Sequence, residues 1–282
     1  MVKRMELARK GGLRLWRTKG LSFPEDTYLI DRSRDLIYIP IPKVASTSLK
    51  IWFLETSPDL AVHPDPENWK VNAWLGNEGN RYLLKDLAPL RDQRTFRFAF
   101  VRNPWSRLVS SYLNRIVGRG AEYRSVMKRL ARGSWYRIDK RIRYYARKRV
   151  CGVGWPESAE VTFREFIMRE VAAMPVMEMD PHWRPQCAFL GRHEPDFIGR
   201  FERLTEDLEV LGKKLGASTH LPELNRSRYV DRYDGGCLAD CAQAQLRAMT
   251  GAPHYRKFYT PDLVDTVARV YQKDLERFGY DF

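Results

Sequence analysis

One stretch of the sequence constrains the fold more than any other. A short apolar, β-rich run, Leu36–Ile41, passes through the loop Pro42–Ser48 into the apolar segment Leu49–Glu55. This order predicts a strand, a tight loop and the start of a helix. Ser46 to Ser48 are good N-cap residues, and a helix N-terminus offers unpaired N–H groups to an anion. With Lys43 just before them, the stretch predicts an oxyanion site; an ordinary capped turn with a solvated lysine is the alternative.

A second strand, turn and helix follow in the same order. The run Phe96–Val101 leads to Arg102, and Asn103 can cap a helix that has Pro104 at its first position. Arg102 leaves the strand at its carboxyl end, where open parallel sheets bind ligands. Ser110 lies two turns into the helix, on the side of Ser106. We expect a phosphate above the strand end to contact both Arg102 and Ser110.

Strands that alternate with helices indicate an α/β fold with a mostly parallel, P-loop-like central sheet flanked by helices. No glycine lies between Leu21 and Gly76, so the glycine-rich loop of ordinary ATP- or GTP-hydrolysing enzymes is disfavoured. The other predicted elements are an early strand, Tyr28–Ile30, a helix opened by a capping box at Thr162–Glu165, a strand at Asp196–Phe201, a helix at Leu204–Leu215 stopped by Gly216, a possible helix at Ala239–Met249, and one final helix from Thr260 to Gly279.

The charge of the chain predicts polyanionic ligands. The 282 residues carry a formal net charge of +14, and the sequence pI is about 9.7. Most of this excess lies in residues 114–150, which hold thirteen basic and two acidic residues interleaved with five aromatic ones. Such a mixture suits contacts with sugars or bases beside phosphate or sulfate groups. We interpret the segment as a basic helical insertion; a merely solvated basic helix is the alternative.

The N-terminus and the cysteines limit other functions. Residues 1–25 read as a basic tail without the apolar core of a secretory signal, and no apolar run approaches the roughly 20 residues that span a bilayer. These features predict a cytoplasmic protein, and a peripheral contact of Leu13, Leu15 and Trp16 with an acidic membrane surface stays open.

Four cysteines are too few for a disulfide framework, and Cys237 and Cys241 lack a second pair, so no metal site is predicted.

The motifs resemble those of one family. Pro42–Ser48 resembles the 5′-phosphosulfate loop of the carbohydrate sulfotransferases, in the chondroitin/dermatan-type branch and its soluble bacterial relatives. Arg102–Tyr112 resembles the 3′-phosphate motif of that family. The stretches His182–Gln186, Phe197–Glu202 and Tyr259–Phe282 are also similar and stand in matching order. The resemblance predicts one sulfotransferase-like domain over residues 26–282.

The resemblance implies a reaction and a set of residues. The donor would be 3′-phosphoadenosine-5′-phosphosulfate, whose sulfuryl group passes by in-line displacement to a carbohydrate hydroxyl and leaves 3′-phosphoadenosine-5′-phosphate, with no metal. The loop residues Lys43, Ala45, Ser46, Thr47 and Ser48 would hold the 5′-phosphosulfate, while Arg102 and Ser110 would hold the 3′-phosphate. Asn225 and Ser227 would belong to a donor or acceptor loop. Lys43 would also neutralise the leaving oxygen, and His182 would accept the proton of the acceptor, although some members use a carboxylate there.

The expected partners are therefore a nucleotide donor and a glycan or glycoconjugate acceptor, an acidic one if the basic segment contacts it. Nucleic acid is not expected. Two other functions remain open at this point: a non-catalytic basic protein that binds polyanions, and a P-loop-like kinase.

Overall fold

The computed structural model describes residues 21–58, 71–76, 80–118, 161–221 and 235–282. The chain forms two compact units. Unit 1 comprises Met1–Arg102 and Gln186–Asn225, and unit 2 comprises Asn103–Pro185 and Arg226–Phe282. Most of the predicted tail and of the basic segment, together with Asn225 and Ser227, lies outside the described residues.

Unit 1 contains a four-stranded sheet in the order β1-β2-β3-β4, in which the first pair is antiparallel and the other two pairs are parallel. The strands are β1 (Leu29–Asp31), β2 (Leu36–Ile39), β3 (Phe96–Val101) and β4 (Phe197–Arg200). The prediction of a mostly parallel sheet flanked by helices is thus confirmed. β2 is four residues long and buried throughout, as expected of a strand covered on both faces.

The α-helices of the described residues are, in chain order, α1 (Ser46–Glu55), α2 (Val71–Gly76), α3 (Ala88–Arg91), α4 (Pro104–Ser111), α5 (Phe163–Phe166), α6 (Leu204–Leu215), α7 (Gln243–Ala248), α8 (Pro261–Val270) and α9 (Gln272–Phe278). α4 continues as a π-helix over Tyr112–Val117, and α5 continues as one over Ile167–Ala172. Short 3₁₀ turns lie at Glu25–Thr27, Asn80–Tyr82, Val176–Glu178, Gln186–Phe189, Phe201–Arg203 and Tyr255–Phe258.

The core of unit 1 is an aromatic cluster between the sheet and α1. Tyr38 of β2 stacks on Phe98 of β3 with ring centroids 4.9 Å apart, and Trp52 meets Phe98 edge-on at 6.0 Å. The indole N–H of Trp52 donates to the carbonyl of Ser218, 2.7 Å away, just after α6. Burial of these rings is the main force that holds α1 on the sheet.

Unit 2 contains helices whose starts the sequence predicted well. The Asn103 side chain accepts a hydrogen bond from the N–H of Ser106 at the start of α4. Thr162 and Glu165 form the predicted capping box at the start of α5. Tyr112, Phe163 and neighbouring aromatic rings then build a buried cluster in this unit.

The prediction of a single final helix is wrong in one respect. The chain leaves helical geometry at Tyr271, where φ is −103° and ψ is 18°, so the segment is divided into α8 and α9. The fully buried Tyr271 hydroxyl donates to the carbonyl of Trp183, and this contact fixes the ring at the break. Gly216 follows α6 and Gly279 follows α9, and these glycines stop the helices as predicted. Both have positive φ.

Gly199 provides a test of the sheet. It pairs with Phe100, and a Cβ at Gly199 would lie 2.3 Å from that ring. We predict that Gly199→Ala lowers the free energy of unfolding by about 1–3 kcal/mol, because the buried ring must move to avoid overpacking. Urea denaturation measures this change. Gly236→Ala is the matched control, since its Cβ would meet no atom of the described residues within 4 Å; equal stabilities of the two variants would contradict the prediction.

Candidate functional site

The loop after β2 differs from the prediction in how the helix is capped. The N-cap of α1 is Ala45, in the left-handed region at φ 58°, and it makes no side-chain capping bond. The predicted capping by Ser46 to Ser48 is therefore wrong. Left-handed geometry at Lys43 (φ 72°) and Ala45 turns the chain so that the Ala45 carbonyl already accepts from the N–H of Leu49 at 3.0 Å. The three hydroxyl residues form the first helical turn, where the N–H groups have no partner within the helix.

Arg102 lies at the same edge of the sheet as this loop. β2 and β3 run parallel, with Ile39 opposite Ala99, so both chains leave the sheet on one side. The Arg102 guanidinium donates to the carbonyl of Lys43 at 3.2 Å and lies over the Phe201 ring, 4.2 Å from its centroid. Arg102 is only 5% exposed. The guanidinium of one predicted anion-binding residue is thus bound to the backbone of the other.

Gln186 fixes the backbone of Arg102. Its side-chain oxygen accepts from the Arg102 N–H at 2.9 Å, and its amide nitrogen donates to the Arg102 carbonyl at 2.8 Å. Gln186 is fully buried. Gln186 thus satisfies both backbone hydrogen-bonding groups of Arg102 where β3 ends. The direction in which the Arg102 side chain leaves the sheet depends on this pair of bonds. Sequence analysis placed Gln186 in a family-like stretch but gave it no role.

This clamp gives the second prediction. Gln186→Met keeps a similar volume but leaves the buried N–H and carbonyl of Arg102 without these partners, and each loss costs about 1–3 kcal/mol. We expect the free energy of unfolding to fall by about 2 kcal/mol or more in a denaturation series. Gln272→Met is the control, because Gln272 is exposed and bonds only Glu276 among the contacts seen. A Gln186→Met protein as stable as this control would rule out the clamp.

In unit 2, His182 has a defined partner on each ring nitrogen. Its Nδ1 lies 2.6 Å from Asp180 Oδ1, and the same oxygen accepts from the His182 N–H at 2.8 Å. The Arg115 guanidinium contacts Nε2. The side chain of His182 is 23% exposed. Ser110, on α4, is half-buried in the same unit.

The loop that carries His182 is held by side chains that bind its carbonyl groups. Arg107, which is fully buried, donates to the carbonyls of Arg184 at 2.8 Å and Pro181 at 3.2 Å. Ser111 donates to the His182 carbonyl at 2.7 Å. The Arg184 guanidinium donates to the carbonyl of Met179. Burial lowers the pKa of Arg184, and the negative charge of Asp180 opposes that shift. Two residues of the Arg102–Tyr112 motif therefore shape the histidine loop.

The other predictions concern Asn225, Ser227, metal binding and the cysteines. Asn225 and Ser227 lie outside the described residues. Across the described part of the chain, no group of three or more His, Cys, Asp or Glu side chains is arranged to hold a metal ion. Cys237 and Cys241 form no disulfide with the part of the chain that the structure describes.

A family model with the description Sulfotransferase family matches residues 26–281. The chain belongs to the sulfotransferase family. It is 29% identical over 207 residues to carbohydrate sulfotransferase 14 of Danio rerio, a match that covers 68% of this chain and 49% of the relative. Carbohydrate sulfotransferase 14 of Mus musculus is 31% identical over 199 residues (68% and 46%), and carbohydrate sulfotransferase 11 of Rattus norvegicus is 25% identical over 201 residues (68% and 54%).

The match confirms the resemblance read from the motifs. The chain spans about half the length of the curated relatives it matches. No solved structure matches it at a comparable significance. The prediction of one domain over residues 26–282 stays a prediction.

The prediction of a cytoplasmic location is wrong. The matched relatives are carbohydrate sulfotransferases of the Golgi type, which are membrane-anchored and lumenal. Within the part of the chain that the structure describes, no helix has the length and apolar character needed to cross a membrane.

Proposed function

We propose that the protein transfers the sulfuryl group of 3′-phosphoadenosine-5′-phosphosulfate to a hydroxyl of a carbohydrate. The observation that carries this proposal is the contact between Arg102 and the Lys43 loop at the common carboxyl edge of β2 and β3. A donor with two separate phosphate ends needs cations at two neighbouring strand ends. Lys43 and the first turn of α1 would hold the 5′-phosphosulfate, and Arg102 with Ser110 would hold the 3′-phosphate.

The first turn of α1 suits an anion for physical reasons. Its N–H groups face away from the helix body, and the helix dipole adds partial positive charge there. Ser46 and Thr47 are half-buried, so their hydroxyls and amides remain within reach of a ligand, whereas Ser48 is 3% exposed and supports the turn from inside. Lys43 adds a full charge beside these dipoles. The loop thus concentrates donors of several kinds on one small oxyanion.

The reaction needs positioning and charge stabilisation more than covalent help from the protein. The acceptor oxygen attacks sulfur as the bond from sulfur to the bridging oxygen of the donor breaks. Negative charge then grows on that bridging oxygen, and Lys43 stabilises it. The acceptor hydroxyl gives its proton to His182. The products are the sulfated carbohydrate, 3′-phosphoadenosine-5′-phosphate and a protonated histidine, which solvent later deprotonates.

We also propose that the acceptor is a glycan with acidic groups. The support is the charge of residues 114–150, which provide eleven of the fourteen net positive charges. Carboxylates or sulfates on a polymer would be attracted to such a segment, and its aromatic residues could stack on sugar rings.

The third prediction concerns the donor site. Calorimetric titration with 3′-phosphoadenosine-5′-phosphate, without magnesium, should show binding that Lys43→Ala and Arg102→Ala each weaken about tenfold or more, because each removes a charge-assisted contact worth about 1.5–3 kcal/mol. Lys213→Ala and Arg94→Ala are the matched controls, since these side chains are 71% and 80% exposed and pair only with neighbours on the surface among the contacts seen. Absence of binding to the wild-type protein would overturn the proposed function.

The fourth prediction concerns the proton acceptor. His182→Ala should lower kcat by about 10²-fold or more and leave the affinity for 3′-phosphoadenosine-5′-phosphate unchanged, because a base acts on the acceptor and not on the nucleotide. The assay follows transfer of radiolabelled sulfuryl to desulfated chondroitin. His220→Ala, at an exposed histidine of α6's C-terminal flank, is the control. A His182→Ala enzyme with wild-type turnover would exclude this role.

A further inference from the structure

Asp180 is arranged to control the imidazole of His182. One carboxylate oxygen of Asp180 lies 2.6 Å from His182 Nδ1 and also accepts from the backbone N–H of His182 at 2.8 Å. The second bond fixes the carboxylate relative to the residue whose ring it contacts. Asp180 is 18% exposed at its side chain and His182 23%, so the pair is shielded while the ring still reaches solvent.

The two ring contacts assign the tautomer. Arg115 meets Nε2, and a guanidinium has donors but no acceptor. Nε2 therefore carries the lone pair. Asp180, an acceptor, faces Nδ1, so Nδ1 carries the proton. The lone pair that a base needs is thus on the nitrogen remote from Asp180.

We propose that Asp180 is a positioning residue that holds His182 as the Nδ1–H tautomer and so makes Nε2 the proton-accepting atom of the transfer reaction. The inference rests on the proposed role of His182 as the base. When Nε2 takes the acceptor proton, the ring becomes a cation, and the adjacent carboxylate stabilises it.

The same geometry gives Arg115 a defined part in this arrangement. Its guanidinium donates to Nε2, so an acceptor hydroxyl must replace that contact before its proton can move to this nitrogen. Replacement exchanges one donor for another at the same nitrogen and needs no change of tautomer. The Asp180 contact can therefore stay unchanged while the acceptor hydroxyl replaces Arg115.

A structural role for Asp180 is separable from this one, because the loop has other supports. Arg107, Ser111 and Tyr271 bind the carbonyls of residues 181–184, and these bonds do not involve the imidazole. Loss of one of these supports should loosen the loop but leave the partner of Nδ1 in place. Ser111→Ala is the best of them as a control, since it removes a bond to the carbonyl of His182 itself.

The deciding measurement is the tautomer of His182. The full chain, labelled with ¹⁵N-histidine, is examined by long-range ¹H–¹⁵N correlation about two units above the ordinary histidine pKa of about 6.5. The signal is assigned by its loss in His182→Asn. The wild-type protein and Ser111→Ala should show a protonated Nδ1 and an unprotonated Nε2. In an Arg115→Ala background, which removes the guanidinium at Nε2, the further change Asp180→Ala should shift the proton toward Nε2. A wild-type ring protonated at Nε2, or a tautomer that Asp180→Ala leaves unchanged in that background, would overturn the proposal, as would an equal shift when Ser111→Ala is made there.

Kinetics provide the second readout. In the transfer assay with desulfated chondroitin, Asp180→Ala should reduce kcat by about 10²-fold and leave the affinity for 3′-phosphoadenosine-5′-phosphate unchanged. A parallel loss of nucleotide affinity would indicate general damage and contradict the positioning role. Failure of the wild-type protein to bind this nucleotide would instead overturn the proposed function, and the tautomer measurement would still judge the role of Asp180 on its own.

Discussion

The parallel pairing of β2 with β3 is the constraint on which the proposed donor site depends. Parallel strands send their carboxyl ends to one edge of the sheet, and here those ends carry the Lys43 loop and Arg102. The pairing is stabilised by the stacked rings of Tyr38 and Phe98, which are opposite each other in the register. A shift of one strand by one residue would turn its ring to the other face of the sheet, away from the ring of the neighbouring strand, and would displace Arg102 relative to the Lys43 loop. The aromatic core and the proposed anion site therefore depend on the same register.

The loop after β2, which we propose binds the anion, makes its turn without glycine. Lys43 and Ala45 both adopt left-handed geometry, which costs a residue with a side chain roughly 1–2 kcal/mol. Lys43 supplies charge in return, and its carbonyl is held by Arg102. The strain is thus tied to the site that it shapes, as is common at ligand-binding loops. A side chain at this turn also leaves less room than a glycine-rich wrap, which agrees with a small ligand group rather than a triphosphate.

Much of the fold could be predicted because its signals are local. Alternating apolar strands, the Asn103 cap, the Thr162 capping box and the glycines after α6 and α9 all act within a few residues. The features that sequence reasoning missed depend on partners far along the chain. Gln186 binds a backbone 84 residues earlier, and Tyr271 breaks the last helix where its hydroxyl meets Trp183. The cap of α1 was mispredicted for a related reason: a left-handed alanine has no sequence signal, whereas three hydroxyl residues beside it have a strong one. Lys43 and Arg102 were found because charge at a strand end is itself a local pattern.

The residues of the Arg102–Tyr112 motif contribute to two different parts of the protein. The chain passes from unit 1 to unit 2 after Arg102 and returns before Gln186, and these two residues bind each other within unit 1. Arg102 serves the proposed donor site, while Arg107 and Ser111 shape the loop of Asp180 and His182 in unit 2. A motif read only as a phosphate site would leave Arg107 unexplained, because that residue is fully buried and bound to carbonyl groups. The spacing of Arg107 and Ser111 follows from their common contact with the histidine loop. Arg107 and Ser111 are one turn apart on α4, so both reach the same loop, and the loop can present a histidine whose ring is fixed by its own neighbours.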